Sequence, residues 1–192
     1  MEDRFTTYLR QFSPLPKDLA RELVQVFKRR TLKKDAYFAR AGSYVHDIGF
    51  LEEGVVRAYA KNEAGKVYNK QFFVGPTLIG AYSALILQQP NQIAQQALTD
   101  CIIHQAPYKK ITALYEEHHC LEHLGRQIAE RLFIEKEKKE LERAFLDATA
   151  RYLLLREEYP TLEQQIPQYH IAAYLGISAT QLSRIRHQLT LS

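Results

Sequence analysis

The segment from Gln168 to Leu189 leaves this chain the fewest options. It reads Gln-Tyr-His-Ile-Ala-Ala-Tyr-Leu-Gly-Ile-Ser-Ala-Thr-Gln-Leu-Ser-Arg-Ile-Arg-His-Gln-Leu. Pro167 precedes it, where a helix can begin because the missing N–H is not needed. Ile171, Ala172 and Leu175 make a short apolar face, and Gly176 offers the left-handed turn that ends a helix. Ser178 stands as the N-cap of a second helix, and Gln181 completes a capping box. Leu182, Ile185 and Leu189 form the inner face of that helix. With small Ala172 allowing a close crossing, the spacing predicts a helix-turn-helix. The alternative is an ordinary helical hairpin with a solvated face.

The outer face of the second helix carries Ser178, Ala179, Thr180, Gln181, Ser183, Arg184, His187 and Gln188. Most of these can donate or accept at base edges, and Arg184 can form the bidentate pair with guanine. Arg186 lies off that face, placed to meet a phosphate backbone instead. No Asp or Glu occurs from Gln168 onward, so nothing there repels phosphate. Double-stranded DNA is the expected partner, and a net charge of +4 suits it without demanding it.

Upstream, the texture changes twice. Leu19, Leu23, Val26 and Phe27 recur at helical spacing, which predicts a helix over 17–30. From Thr31 to about Gln105, short β-branched and aromatic runs are cut by Gly42, Gly54, Gly65 and Gly75-Pro76. That pattern predicts a small antiparallel barrel or roll, with Asn62-Glu-Ala-Gly65 as its clearest hairpin turn. From about Tyr108 the chain reads as helical. Leu121, Leu124, Ile128 and Leu132 mark one stripe of a long helix, resumed at Leu141 and Phe145 after the polar run Glu135 to Glu140. A helix of this kind often pairs with its own copy; the alternative is a helix lying on its own barrel. Asp147 is a plausible N-cap for a further helix to Glu158, which Tyr159-Pro160 ends. The junction of the two helices is the expected hinge.

The order of these parts resembles the superfamily of the cyclic-AMP receptor protein and the fumarate-nitrate reduction regulator, nearly end to end. The most specific stretches are Phe50-Leu-Glu-Glu-Gly-Val-Val-Arg57, Phe145-Leu-Asp-Ala-Thr-Ala-Arg151 and His170-Ile-Ala-Ala-Tyr-Leu-Gly-Ile-Ser178. Tyr159-Pro-Thr-Leu162 and Ile166-Pro167 are similar to one branch of it. The resemblance implies an α+β chain: an N-terminal antiparallel, jelly-roll-like β-roll sensor (1–116), a long dimerisation helix (117–145) and a helix-turn-helix DNA-binding domain (146–192). It implies a homodimer whose seam runs through Leu121, Leu124, Ile128 and Leu132. RNA polymerase and an unidentified small-molecule effector complete the expected partners, and no cofactor is assigned. The implied ligand pocket comprises Gly80, Ala81, Tyr82, Asn91 and Gln92.

Two departures qualify that match. Cyclic-nucleotide binders of this kind hold ribose and phosphate with a Gly-Glu pair and an Arg ten residues beyond the Glu; the same frame here gives Gly80-Ala81 and Asn91. Lys136 and Glu137 stand where the receptor offers hydroxyls to adenine. Charge-assisted bonds are roughly twice as strong as neutral ones, so ordinary cyclic-AMP sensing is not expected. The sequence also ends three residues after Leu189, and only a short segment separates Pro160 from Pro167. A reduced or absent wing is therefore expected, with DNA contacts resting on the recognition helix. Ala179 and Thr180 replace the receptor's Arg and Glu, whereas Arg184 matches the family's base-reading Arg.

Other constellations carry less. His119 and His123, one helical turn apart, could share a metal with Cys120 or Glu116, and His118 adjoins them; the bland reading is a solvated helix start. Cys101 and Cys120 are too few for an iron–sulfur cluster. No phosphate loop, nucleophile elbow or zinc-protease motif occurs, so an enzyme is not expected. Tyr68, Phe72, Phe73 and Tyr82 are expected to fill the roll, with the alternative that some of them line a ligand cavity, and Arg57 reads equally as surface charge or anion contact. The start lacks a signal-peptide pattern and no run could cross a bilayer, so a cytoplasmic location away from membranes is expected. Two rivals to a DNA-binding regulator stay open: a ligand-binding or protein-interaction module with a vestigial helix-turn-helix, and a metal-responsive regulator.

Overall fold

The computed structural model describes residues 4–191. Two short helices, α1 (Arg4–Leu9) and α2 (Lys17–Val26), lead into eight strands. These are β1 (Lys28–Leu32), β2 (Tyr37–Ala39), β3 (Asp47–Glu53), β4 (Val55–Lys61), β5 (Val67–Val74), β6 (Thr77–Ile79), β7 (Ala94–Ala97) and β8 (Cys101–Pro107). A short helix, α3 (Tyr82–Leu87), interrupts them after β6. Two four-stranded antiparallel sheets result, ordered β1-β8-β3-β6 and β2-β7-β4-β5. The helical part follows as α4 (Tyr108–Glu117), α5 (His119–Phe145), α6 (Ala148–Glu158), α7 (Leu162–Gln165), α8 (Gln168–Leu175) and α9 (Ala179–Leu191). None of the described helices is long and apolar enough to cross a membrane.

The roll and the 62–65 turn form where the glycine-punctuated runs predict them. Asn62 and Gly65 close the β4–β5 hairpin through a 2.9 Å backbone bond, and Asn62 Oδ1 accepts from the Lys66 N–H at 2.8 Å. The helix expected over 17–30 stops at Val26, because Phe27 turns extended and Lys28–Leu32 pairs with β8. Four of those five side chains are exposed, so local periodicity carries no sign of the strand. Phe72 also departs from expectation. It points out of the roll into the C-terminal helices, meeting the Tyr174 ring at 5.4 Å, while Phe73 packs inside and Tyr68 and Tyr82 are largely exposed.

The long helix has two unlike halves. Leu121 and Leu124 are buried in the chain's own core with Phe5, Leu9, Phe50 and Ile111, and Ile128 packs against that cluster. Of the four residues expected at the seam, Leu121 and Leu124 are buried within the chain, Ile128 is partly buried against the same cluster, and Leu132 is exposed. Gly125 sits on the same side, where a Cβ would lie 2.6 Å from Tyr115 Oη. Glycine there lets α4 cross α5 closely. On a different stripe, Ile134, Leu141 and Phe145 are exposed.

Candidate nucleic-acid interface

The two C-terminal helices assemble through the local signals in their sequence. Gly176 closes α8 at φ +73°, a conformation that costs glycine nothing. Ser178 Oγ accepts from the Gln181 N–H at 3.1 Å, and Gln181 Oε1 accepts from the Ser178 N–H at 2.9 Å. That reciprocal pair satisfies two otherwise orphaned donors at the start of α9. Leu182 is fully buried against Ile171, Ala172 and Leu175, with Ile185 and Leu189 packed beside it. Arg151 of α6 donates to the Leu175 carbonyl at 3.0 Å, securing the end of α8.

This packing leaves Ala179, Thr180, Gln181, Ser183, Arg184, His187 and Gln188 exposed along α9, with Ser178 exposed at its cap. Arg184 has no ion pair or hydrogen bond within the described residues. Arg186 is only half-exposed, and its Nε lies 3.5 Å from Glu163. Glu163 also accepts from Tyr152 Oη at 2.6 Å and pairs with Arg156 at 3.4 Å. Arg186 thus anchors α9 to the short helix α7, a role that sequence reading missed. Among the described residues, no strand follows Pro107, and α7 fills the span where a wing hairpin would need room.

A second unforeseen feature is how firmly this domain sits on the roll. Val55, Phe72 and Leu98 share one core cluster with Tyr152, Leu155, Leu162, Ile171, Leu175 and Leu182. At its edge the Arg57 guanidinium, stacked over the Tyr59 ring, donates to Gln96 Oε1, to Asn69 Oδ1 and to His170 Nδ1 at 3.1 Å. Asn69 in turn donates to the His170 carbonyl at 2.8 Å. Arg57 is therefore no idle surface charge; it ties the roll to α8 through His170. Burial first, and then the facing Arg57 charge, push His170 down to about 4, so its ring is neutral at physiological pH and Nδ1 accepts.

Gly80, Ala81, Tyr82, Asn91 and Gln92 all line one cavity of about 1130 Å³ between the roll and α5. Asn91 is buried and committed to backbone: its amide donates to the Ile93 and Arg40 carbonyls and accepts from the Ile93 N–H. The histidines near the start of α5 do not converge. His119 pairs with Glu122 and His123 with Arg126, while His118 comes together with Glu22 and Glu117.

Neither a family model nor a curated protein matches the sequence. Solved structures do. The c-di-GMP-responsive global regulator CLP of Xanthomonas campestris is similar over 98% of this chain and 92% of its own, at TM-score 0.68 and 16% identity. FixK2 of Bradyrhizobium japonicum is similar over 86% and 85%, at TM-score 0.72 and 16% identity. The catabolite activator protein of Thermus thermophilus is similar over 93% and 85%, at TM-score 0.59 and 20% identity. The chain has the fold of the cyclic-AMP-receptor and fumarate-nitrate type of regulator. Ala81 and Asn91, the positions the sequence resemblance sets against a nucleotide, are an alanine and a fully engaged amide.

Proposed function

We propose that this chain is a sequence-specific DNA-binding transcription regulator that acts as a homodimer and reads DNA with α9. The observation that carries the reading is the capped, acid-free helix α9, whose outward face presents an unpaired Arg184 beside Thr180, Gln181, Ser183 and His187. With its N-terminus toward a phosphate, such a helix gains from the unsatisfied N–H groups there. Arg184 is then the principal base reader. Arg186, tied to Glu163, positions the helix and adds positive charge near the DNA backbone. The dimer is proposed to close along Ile134, Leu141 and Phe145, with RNA polymerase as a further partner and the roll as sensor of a ligand other than cyclic AMP.

A gel shift against the DNA upstream of the chain's own gene tests DNA binding, and selection from randomised duplexes tests reading. Arg184→Ala is expected to cost about 1–3 kcal/mol and to relax preference at one base pair of each half-site. Unchanged affinity and sequence preference in that variant would remove α9 as the reader and favour the vestigial-module alternative.

A further inference from the structure

Two carboxylates and an imidazole meet where three helices join. Glu22 lies on α2, Glu117 ends α4, and His118 links α4 to α5. One donor atom from each lies within 4.8 Å of the other two. The helices that carry them are held from below by a shared core: Leu19 and Leu23 of α2, Ile111 of α4, and Leu121 and Leu124 of α5. The three side chains stand at its rim, Glu22 and Glu117 exposed and His118 half-buried.

The spacing fits a shared cation better than a hydrogen bond. His118 Nε2 stands 3.4 Å from Glu22 Oε2, beyond the about 2.7–3.2 Å of an N–H···O bond. The His104–Glu52 pair of the same chain shows the ordinary distance, 2.8 Å. Donors on a tetrahedral zinc ion, with bonds of about 2.0–2.2 Å, stand ~3.3–3.6 Å apart. His118 and Glu22 therefore already hold one edge of such a site, and rotation of the exposed Glu117 side chain closes the rest.

Charge points the same way. Glu22 and Glu117 bring two anions together, and among the described residues neither pairs with a Lys or Arg. Arg21, the nearest cation in sequence, is turned to Asp18 at 3.4 Å. A divalent ion balances both carboxylates and takes the imidazole as a third ligand. One imidazole with two carboxylates suits zinc and its first-row neighbours, whereas magnesium and calcium favour all-oxygen shells. His119 and His123, which sequence spacing singles out, are engaged with Glu122 and Arg126 instead.

We infer that Glu22, Glu117 and His118 form a zinc-type divalent metal site, completed by water, that fastens α2 to the joint between α4 and α5. None of the three lines the roll cavity or lies on α9. Its test needs neither DNA nor an effector, so its failure and that of the DNA-binding reading are separate results.

Calorimetric titration of the untagged full chain with zinc chloride is expected to show one saturable site per chain. Bound zinc should raise the melting temperature, because it favours the folded chain. Glu22→Gln, Glu117→Gln and His118→Gln each remove a ligand, and each is expected to weaken zinc by at least the ~10-fold that loss of an outer-shell partner costs. Joint replacement His119→Gln and His123→Gln should leave zinc affinity as in the wild type. Magnesium chloride is expected to bind at least about tenfold more weakly than zinc. No saturable zinc binding, zinc affinity unchanged by Glu22→Gln and Glu117→Gln, or loss of binding on replacing His119 and His123 would each overturn the proposal. Glutamine matches glutamate in shape and both positions are exposed, so the two Glu variants decide even if His118→Gln does not fold.

Discussion

His170 shows how a residue inside a helix-turn-helix can answer to a distant part of the chain. Its ring is buried, faces Arg57 at 3.1 Å, and has Lys34 and Asp35 as its other charged neighbours. The folded value, about 4, lies below the ~6.5 of an unfolded histidine. The unfolded chain therefore takes up the proton first as pH falls. The neutral ring's contribution is present above about pH 6.5 and is lost progressively down to about pH 4, amounting to no more than about 3 kcal/mol. Urea unfolding at stepped pH should show this loss, and His170→Gln, which keeps an acceptor without a titrating ring, should flatten the curve across that window. Arg57→Ala belongs to the same scale. It strands Gln96, Asn69 and His170 without their shared donor, so a loss of about 1.5–3 kcal/mol is expected in the same assay. Nothing in the sequence announced this pairing: Arg57 and His170 are 113 positions apart, and although each ends a recognisable stretch, neither stretch points to the other.

At the scale of elements, α5 invites a direct test of which stripe meets a partner. Ile128 is partly buried against the chain's own core, whereas Ile134, Leu141 and Phe145 lie exposed. Burying such side chains contributes roughly 1.5–3 kcal/mol each, so Leu141→Glu should yield folded monomers by light scattering with the roll's melting unchanged. Ile128→Asp should instead lower melting, because it places a charge in the core. A dimeric Leu141→Glu protein at micromolar concentration would put the seam elsewhere. The sequence showed an apolar stripe on α5 but not its recipient, since periodicity reveals that a face is buried and not by what. The helix-turn-helix was legible because its signals are local: a glycine turn, a capping box, a small residue at the crossing. Strands β1 and β7 were not. Lys-Arg-Arg-Thr-Leu and Ala-Gln-Gln-Ala become strands by pairing with distant segments, and β7 is buried along its whole length despite two glutamines.

For the whole molecule, the core that joins roll to helices predicts cooperative behaviour. Phe72 extends from β5 into the cluster formed by Tyr152, Leu155, Leu162 and Ile171, and Tyr159 Oη donates to its carbonyl at 3.2 Å. Calorimetry of the intact chain should show one unfolding transition. Phe72→Ala is expected to cost about 3–5 kcal/mol and to split that transition in two, since the cavity opens where the domains meet. The same junction governs which changes natural variation can try. Helix α8 is hemmed in on both sides, by α9 through Ala172 and Leu175 and by the roll through Ile171 and His170, so a substitution at any of these four disturbs a neighbouring element. The outer face of α9 touches neither. On the proposed reading, operator preference can drift residue by residue along α9 at little cost in stability, whereas α8 can be exchanged only together with the sheet it rests on. A recognition helix transplanted from a chain of the same fold should work here; a whole helix-turn-helix should not.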